Sequence, residues 1–380
     1  MWLYEYEGSA LFRDEGILVP DYALATSAEE ARRKAEELGL PVVIKAQVLT
    51  GGRWLAGGVQ FARSADEVEE VSRRILNSSI RGLPVPRVMV AQKVEVEREF
   101  YLGVTVDGYS GMPVVILSTE GGVSIEVTAR DHPERVISRQ VDIITGLQPS
   151  EAEQMAQQAG LEGEELRQVA RLLHTLYRFF RKYDALIVEI NPLVRSRQGT
   201  YFALDAKVEI DDSSLYRHPE LKVTMEEHIS HPLERKGHQL GVTYVDLDGE
   251  IGIIASGAGL GMATMDAVSR CFRPANFLET GGAISADLLY QVMELVMQKQ
   301  GLKAIFINLY GGINPIEEAA RGIVRYLKEH PTTMPIVAKA LGNRQEETWK
   351  ILESGGIRVV SGVATESGVE LLARLLEKDR

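Results

Sequence analysis

The chain has 380 residues, and at about 150 residues per domain that suggests two or three domains with a sizeable core. Apolar residues make up 45% and charged residues 25%, a balance that excludes disorder, collagen and coiled coil. With 54 acidic against 42 basic residues the net charge is −12, a sign that repels nucleic-acid backbones and anionic membranes. A bound nucleotide stays compatible with that charge, because one lysine, a metal ion and backbone amides suffice for its few phosphates. Cys271 is the single cysteine, so no disulfide or multi-thiolate metal site is expected. Met1 to Gly8 carries Glu5 and Glu7 where a secretion signal would carry basic residues, and no apolar run approaches the roughly 20 residues needed to span a bilayer. A cytoplasmic location is the expectation.

In chain order, Ser27-Ala-Glu-Glu is a capping box that predicts a helix ending at Gly39. Pro41 to Val48 reads as a strand, Gly51 to Gly58 as a glycine turn, Ser64-Ala-Asp-Glu as a second capped helix and Arg87 to Gln92 as a strand. Alternation from Glu99 to Val106 and from Met112 to Ser118 predicts antiparallel strands, whereas Leu166, Val169, Leu173, Leu176 and Phe180 have helical spacing. After a polar, histidine-bearing stretch from Ser213 to Gln239, four strand, glycine-turn and helix units follow, the turns being Gly257 to Gly261, Gly281-Gly282, Gly311-Gly312 and Gly342-Asn343. An α+β half therefore precedes an α/β half with a doubly wound parallel sheet, the boundary falling near Arg235 to Tyr244.

Three constellations could carry chemistry. Lys45, on a strand ahead of the Gly51 to Gly58 turn, pairs a point charge with amides that no Cβ shields, although an ordinary hairpin beside a surface lysine gives the same text. Secondly, if the strands of Glu189-Ile-Asn191 and Asp205-Ala-Lys207 pair symmetrically about Gln198, Asn191 lies opposite Asp205 and Glu189 opposite Lys207. A carboxylate facing an amide oxygen suits Mg²⁺, and a cross-strand Glu–Lys pair on a solvated face is the alternative. Thirdly, the glycine turns lie where open α/β sheets bind anions, with Asn314 as a candidate N-cap, Pro315 as first helical residue and Glu317 as its capping partner. Gly257 to Met262 misses the third glycine of a dinucleotide fingerprint. His228 and His231 read as solvated surface, and Cys271 as a small packed residue. No nucleophile, base and oxyanion set is visible.

In order and spacing, Leu3-Tyr-Glu-Tyr-Glu7, Ile44-Lys-Ala-Gln-Val48, Gly51-Gly-Arg53, Ser118-Thr-Glu-Gly-Gly-Val123, Glu189-Ile-Asn-Pro-Leu193, Asp205-Ala-Lys207, Gly257-Ala-Gly-Leu260, Pro274-Ala-Asn-Phe-Leu278 and Gly311-Gly-Ile313 resemble the β subunit of the nucleoside-diphosphate-forming succinate–CoA ligases. The resemblance implies an ATP-grasp domain over residues 1–235 and a flavodoxin-like domain over 240–380. It implies an acid–CoA ligase coupling succinyl-CoA to ATP or GTP, with Mg²⁺, through a phosphohistidine on a separate α subunit that also binds CoA. Carried over by position, Lys45, Gly52, Arg53, Trp54, Glu99 and the backbone near Val94 would contact nucleotide, and Asn191 and Asp205 would hold Mg²⁺. Glu189 would orient the phosphohistidine, while Ser256, Gly312, Ile313 and Asn314 would meet the phosphohistidine and the dicarboxylate.

The chain departs from that pattern in four places. Trp54-Leu55 stand where the family has Gly-Lys, which removes one phosphate-loop charge. Ala91 replaces a hinge acid, Ser256 an asparagine, and Asn314-Pro-Ile316 differs from the usual text. Malate- and citrate-specific ligase subunits share much of the pattern. A catalytically impaired or regulatory paralogue and, more distantly, an NAD-dependent dehydrogenase are the other readings.

Overall fold

The computed structural model describes residues 1–378 apart from 123, 124, 222, 283, 314 and 315. They divide into two compact units, Met1–Thr224 and Met225–Arg380.

The first unit opens with α1 (Glu5–Asp14), β1 (Tyr22–Ala25), α2 (Ala28–Leu38), β2 (Val42–Ala46), β3 (Val59–Ala62) and α3 (Ala65–Leu76). A short hairpin, β4 (Ser79–Ile80) and β5 (Leu83–Pro84), leads to β6 (Val88–Gln92). Strands β1, β6, β2 and β3 pair antiparallel in that order. Alternation along β2 buries Val42, Ile44 and Ala46 in the core formed with α2 and α3, leaving Val43 and Lys45 on the opposite face. Both helices begin as their capping boxes predict. Ser27 and Ser64 accept from the amides of Glu30 and Glu67 at 3.1 and 3.2 Å, and those glutamates accept in turn from the amides of Thr26 and Arg63.

The chain then forms β7 (Val96–Val106), β8 (Pro113–Ser118), α4 (Ile125–Asp131), β9 (Val136–Gln140), α5 (Pro149–Gln158) and α6 (Gly163–Lys182). β10 (Ala185–Ser196), β11 (Tyr201–Ala203) and β12 (Lys207–Ile210) complete a second antiparallel sheet, ordered β11-β10-β7-β8-β9 with β12 also on β10. Helix α6 lays its stripe of Val169, Leu173, Leu176 and Phe180 against this sheet, each such buried side chain contributing about 2 kcal/mol. The amide of Leu3 donates to Val208 at 2.9 Å and Trp2 bridges Glu209, which moors α1 beside β12.

The second unit runs α7 (Met225–His228), α8 (Pro232–Gln239), β13 (Thr243–Asp246), β14 (Ile251–Ala255), α9 (Ala258–Ser269), β15 (Asn276–Glu279), α10 (Ala286–Met297) and β16 (Ala304–Gly311). It ends with α11 (Glu317–Glu329), β17 (Ile336–Gly342), α12 (Gln345–Ser354), β18 (Arg358–Val360) and α13 (Thr365–Lys378). The parallel strands lie in the order β15-β14-β16-β17-β18, the flavodoxin order, and β13 adds an antiparallel edge beside β15.

Several details differ from the sequence reading. The two compact units divide between Thr224 and Met225, ahead of the Arg235 to Tyr244 stretch, and α8 packs Leu233 against the second unit's core. Cys271 is exposed, lying just past the end of α9. His228 is buried, while His231 lies 3.5 Å from Asp246. Of the residues Gly257 to Gly261 only Gly257 lies ahead of the helix; the others form the first turn of α9. Asn314 and Pro315, expected to cap α11, lie outside the described residues, and Glu317 is buried and paired with Arg344.

Candidate active site

On the face of β2 away from α2 and α3, the Lys45 ammonium donates to Glu5 Oε1 at 2.7 Å and to the Leu204 carbonyl. Arg53, in the following turn, donates to the Ala46 carbonyl at 3.0 Å, and its two arms reach Glu5 Oε2 at 2.7 Å and Asp205 Oδ1 at 2.8 Å. Gln47 Nε2 adds a longer contact of 3.4 Å to Glu5. Two cations and two carboxylates from α1, β2, the glycine turn and the β11–β12 connection thus meet at one point. Burial alone would raise the pKa of Glu5, whose side chain is 2% exposed, but Arg53 and Lys45 bring it down to about 2. Asp205 is raised, burial outweighing the attraction of Arg53, and Glu5 adds to the rise. Burial opposes the charge on Arg53, yet Glu5 and Asp205 hold it more firmly protonated than usual.

The pairing symmetric about Gln198 is present. Glu189 lies opposite Lys207 and Val188 opposite Val208 on one side of the turn, with Leu193 opposite Ala203 and Arg195 opposite Tyr201 nearer to it. Leu204 donates to the Pro192 carbonyl at 3.0 Å in the same register, which sets Asn191 and Asp205 abreast. Glu189 accepts from Lys207 at 3.2 Å, the cross-strand pair that the sequence allowed as an alternative to a metal role for this face. Asn191 Oδ1 accepts the Gly122 amide at 2.8 Å. Gly122 has φ +73°, a backbone that favours glycine, and a Cβ there would lie 2.5 Å from Glu99 Oε2 and displace that carboxylate. Glu99, Gly122 and Asn191 form a second polar group on the larger sheet.

Trp54 is exposed and packs edge-on against Phe61 of β3, the ring centroids 5.9 Å apart. Phe61 also borders a 410 Å³ cavity with Leu40, Pro41, Arg63 and Lys93. Val94 is half-buried in the link between β6 and β7, which joins the two sheets, and Ala91 is buried on β6 opposite Val43 and Tyr22. Gly52 lies in the turn between Lys45 and Trp54.

The donor set suits a hard cation: one carboxylate and one amide oxygen, brought abreast beside the charges of Lys45 and Arg53. Among the described residues no group of three or more His, Cys, Asp or Glu side chains is placed to hold a metal, so an ion here would draw its remaining ligands from phosphate and water.

In the second unit, Ser256 follows β14 and Gly312 and Ile313 follow β16, the adjacent strands where the order reverses. The Ser256 hydroxyl accepts the Tyr310 amide at 2.8 Å and donates to the Tyr310 carbonyl at 3.2 Å, tying the two strand ends together. Gly312 and Ile313 are exposed, and Asn343 Nδ2 donates to the Ile313 carbonyl at 3.1 Å.

The residue that sequence reasoning missed is Glu5. Its signal lay in the first helix: Glu7 accepts from the Tyr4 amide at 2.8 Å as the N-terminal cap, which leaves a second acid in the same turn without a local task.

Among the described residues no helix is long and apolar enough to cross a membrane. The ATP-grasp domain family matches residues 2–195, and the CoA-ligase family matches residues 254–370. A succinate–CoA ligase [GDP-forming] subunit β of Thermus thermophilus is 44% identical over 354 residues, covering 93% of each chain. An ADP-forming subunit β of Methanothermobacter thermautotrophicus is 39% identical over 377 residues, covering 99% of this chain and 100% of that one. The structure of ATP citrate lyase from Methanothrix soehngenii, with citrate and coenzyme A, shares the fold with a TM-score of 0.75 at 18% identity, covering 98% of this chain and 99% of that one. The chain belongs to the succinate–CoA ligase β-subunit family, an ATP-grasp domain followed by a flavodoxin-like CoA-ligase domain.

Proposed function

We propose that this chain is the nucleotide-gripping β subunit of a succinate–CoA ligase, working with a separate α subunit that binds CoA and carries the phosphorylated histidine. The observation that supports this most is the meeting of Lys45, Arg53 and Asp205 beside Asn191, since phosphoryl transfer asks a protein for charge neutralisation and alignment rather than covalent help. The relatives named above supply the acid and the reaction class.

In this reading Lys45, Arg53 and the amides near Gly52 receive the polyphosphate. Trp54, Glu99 and the backbone at Val94 line the nucleoside end. Asn191 and Asp205 would hold Mg²⁺, whose charge, when bound, offsets that of the phosphates. Glu189, steadied by Lys207 on one carboxylate oxygen, orients the visiting phosphohistidine through the other. Ser256, Gly312 and Ile313 face the phosphohistidine and the dicarboxylate at the other site, and the same role is assigned to Asn314 from the resemblance alone. A histidine supplied by the partner accounts for the lack of a nucleophile, base and oxyanion set in the sequence reading.

The test is turnover of the complex co-purified with its α subunit, assayed with succinate, malate and citrate against Mg-ATP and Mg-GTP. Succinate- and CoA-dependent release of ADP or GDP is expected. No turnover with any of the three acids would overturn the reading.

A further inference from the structure

The charges around β2 close on themselves. Lys45 and Arg53 are matched by Glu5 and Asp205, each pair within 2.8 Å. A nucleoside triphosphate carries more negative charge than Lys45 and Arg53 can offset while they are shared with Glu5 and Asp205, so its tail calls for a further cation that is not already engaged. The glycine turn supplies none: after Arg53 come Trp54, Leu55 and Ala56, and Leu55 is 88% exposed without a charge.

Arg81 is such a cation. It sits with Gly82 in the two-residue turn of the β4–β5 hairpin, exposed, with φ +51°, the left-handed backbone that such a tight turn requires at both of its central residues. A Cβ on Gly52 would lie 2.6 Å from Arg81 Nη2 and 3.2 Å from its Cζ, so the guanidinium fills the space above the glycine turn where a side chain would otherwise stand. No carboxylate among the described residues pairs with it.

We propose that Arg81 is a phosphate-binding residue of the nucleotide site, the unengaged cation over Gly52 that receives the polyphosphate tail of a magnesium nucleotide. The planar fork of a guanidinium matches two phosphate oxygens at once. The role rests on the ligase reading above, and it gives that reading a charge which the turn itself lacks.

The test compares wild type with Arg81→Gly, Arg81→Gln and Arg81→Lys, each as the complex with its α subunit, by steady-state titration of Mg-ATP and Mg-GTP at saturating succinate and CoA. Glycine accepts the left-handed backbone more easily than arginine, so Arg81→Gly removes the charge without strain, and its melting temperature should equal or exceed that of wild type. The nucleotide KM should rise about tenfold in Arg81→Gly and Arg81→Gln and two- to fivefold in Arg81→Lys. KM for succinate and for CoA should stay within twofold. A nucleotide KM within twofold of wild type in both Arg81→Gly and Arg81→Gln overturns the proposal, and so does an equal rise in all three KM values. Should Arg81→Gly fail to assemble, Arg81→Gln decides by the same criterion. Wild type without saturable nucleotide dependence would instead sink the ligase reading itself.

Discussion

The N-terminal unit and the C-terminal unit build their candidate sites from different materials. Around β2 the groups are ions, Glu5, Lys45, Arg53 and Asp205, each held by an opposite charge, and Glu5, Lys45 and Arg53 are largely out of water. At the reversal of the parallel sheet the groups are a hydroxyl and main chain, with Ser256 and Tyr310 clasping two strand ends beside Gly312 and Ile313. The difference teaches what each site is sensitive to. A cluster of buried ions fails abruptly when one member is removed, because the others are left uncompensated in a poor solvent for charge. A site of backbone and hydroxyl fails gradually, one hydrogen bond at a time.

The sharpest way to break this contrast is Glu5→Gln. It leaves Lys45 and Arg53 short of a carboxylate, and the expected loss of stability in the N-terminal unit is about 3 kcal/mol or more by denaturant unfolding. A loss below about 1 kcal/mol would mean that the cluster is not under the tension described. In the other unit, Ser256→Ala removes two hydrogen bonds to Tyr310 and should cost only about 1 to 2 kcal/mol. It should raise KM for the carboxylate substrate several-fold while leaving nucleotide KM alone; the reverse pattern would dissolve the division of labour between the units.

The smallest effect comes from an ion cluster with no part in either site. His218 is buried, with Asp184 2.7 Å from one ring nitrogen and Glu220 3.0 Å from the other. Burial works against its charge, but the hydrogen bonds to Asp184 and Glu220 outweigh it and raise the pKa above 6.5. The stabilisation is therefore complete below about pH 6.5 and lost as pH rises through the folded value. His218→Gln should cost about 1 kcal/mol at pH 6, with the gap to wild type narrowing at higher pH and nucleotide turnover unchanged. A gap that widens with pH would reverse the assignment of charge.

Local physics made much of this legible beforehand. The caps at Ser27 and Ser64 are set by residues three apart, and the register about Gln198 by a short turn between two strands, so both follow from neighbouring text. The doubly wound parallel sheet follows similarly from repeated strand, glycine and helix units, whereas its flavodoxin-like order came from the family resemblance, and β13 was hidden because an antiparallel edge strand has no such unit. What the text concealed was long-range. Glu5 reaches Lys45 across 40 positions and Arg53 reaches Asp205 across 152, and no periodicity encodes either meeting. Arg81 was obscured by a hairpin whose strands are two residues each, too short for alternation to announce.

The central claim is that Lys45, Arg53, Asn191 and Asp205 make one grip for a magnesium nucleotide. Its most direct test is calorimetric titration of Mg-ATP and Mg-GTP into the α-complexed wild type and into Asp205→Asn, repeated with each nucleotide free of magnesium. Wild type should bind at least one nucleotide saturably in the presence of magnesium, and Asp205→Asn should weaken that binding about tenfold or more while changing magnesium-free binding by less than threefold. Equal affinities of the two proteins for the magnesium nucleotide would place the metal elsewhere and contradict the account.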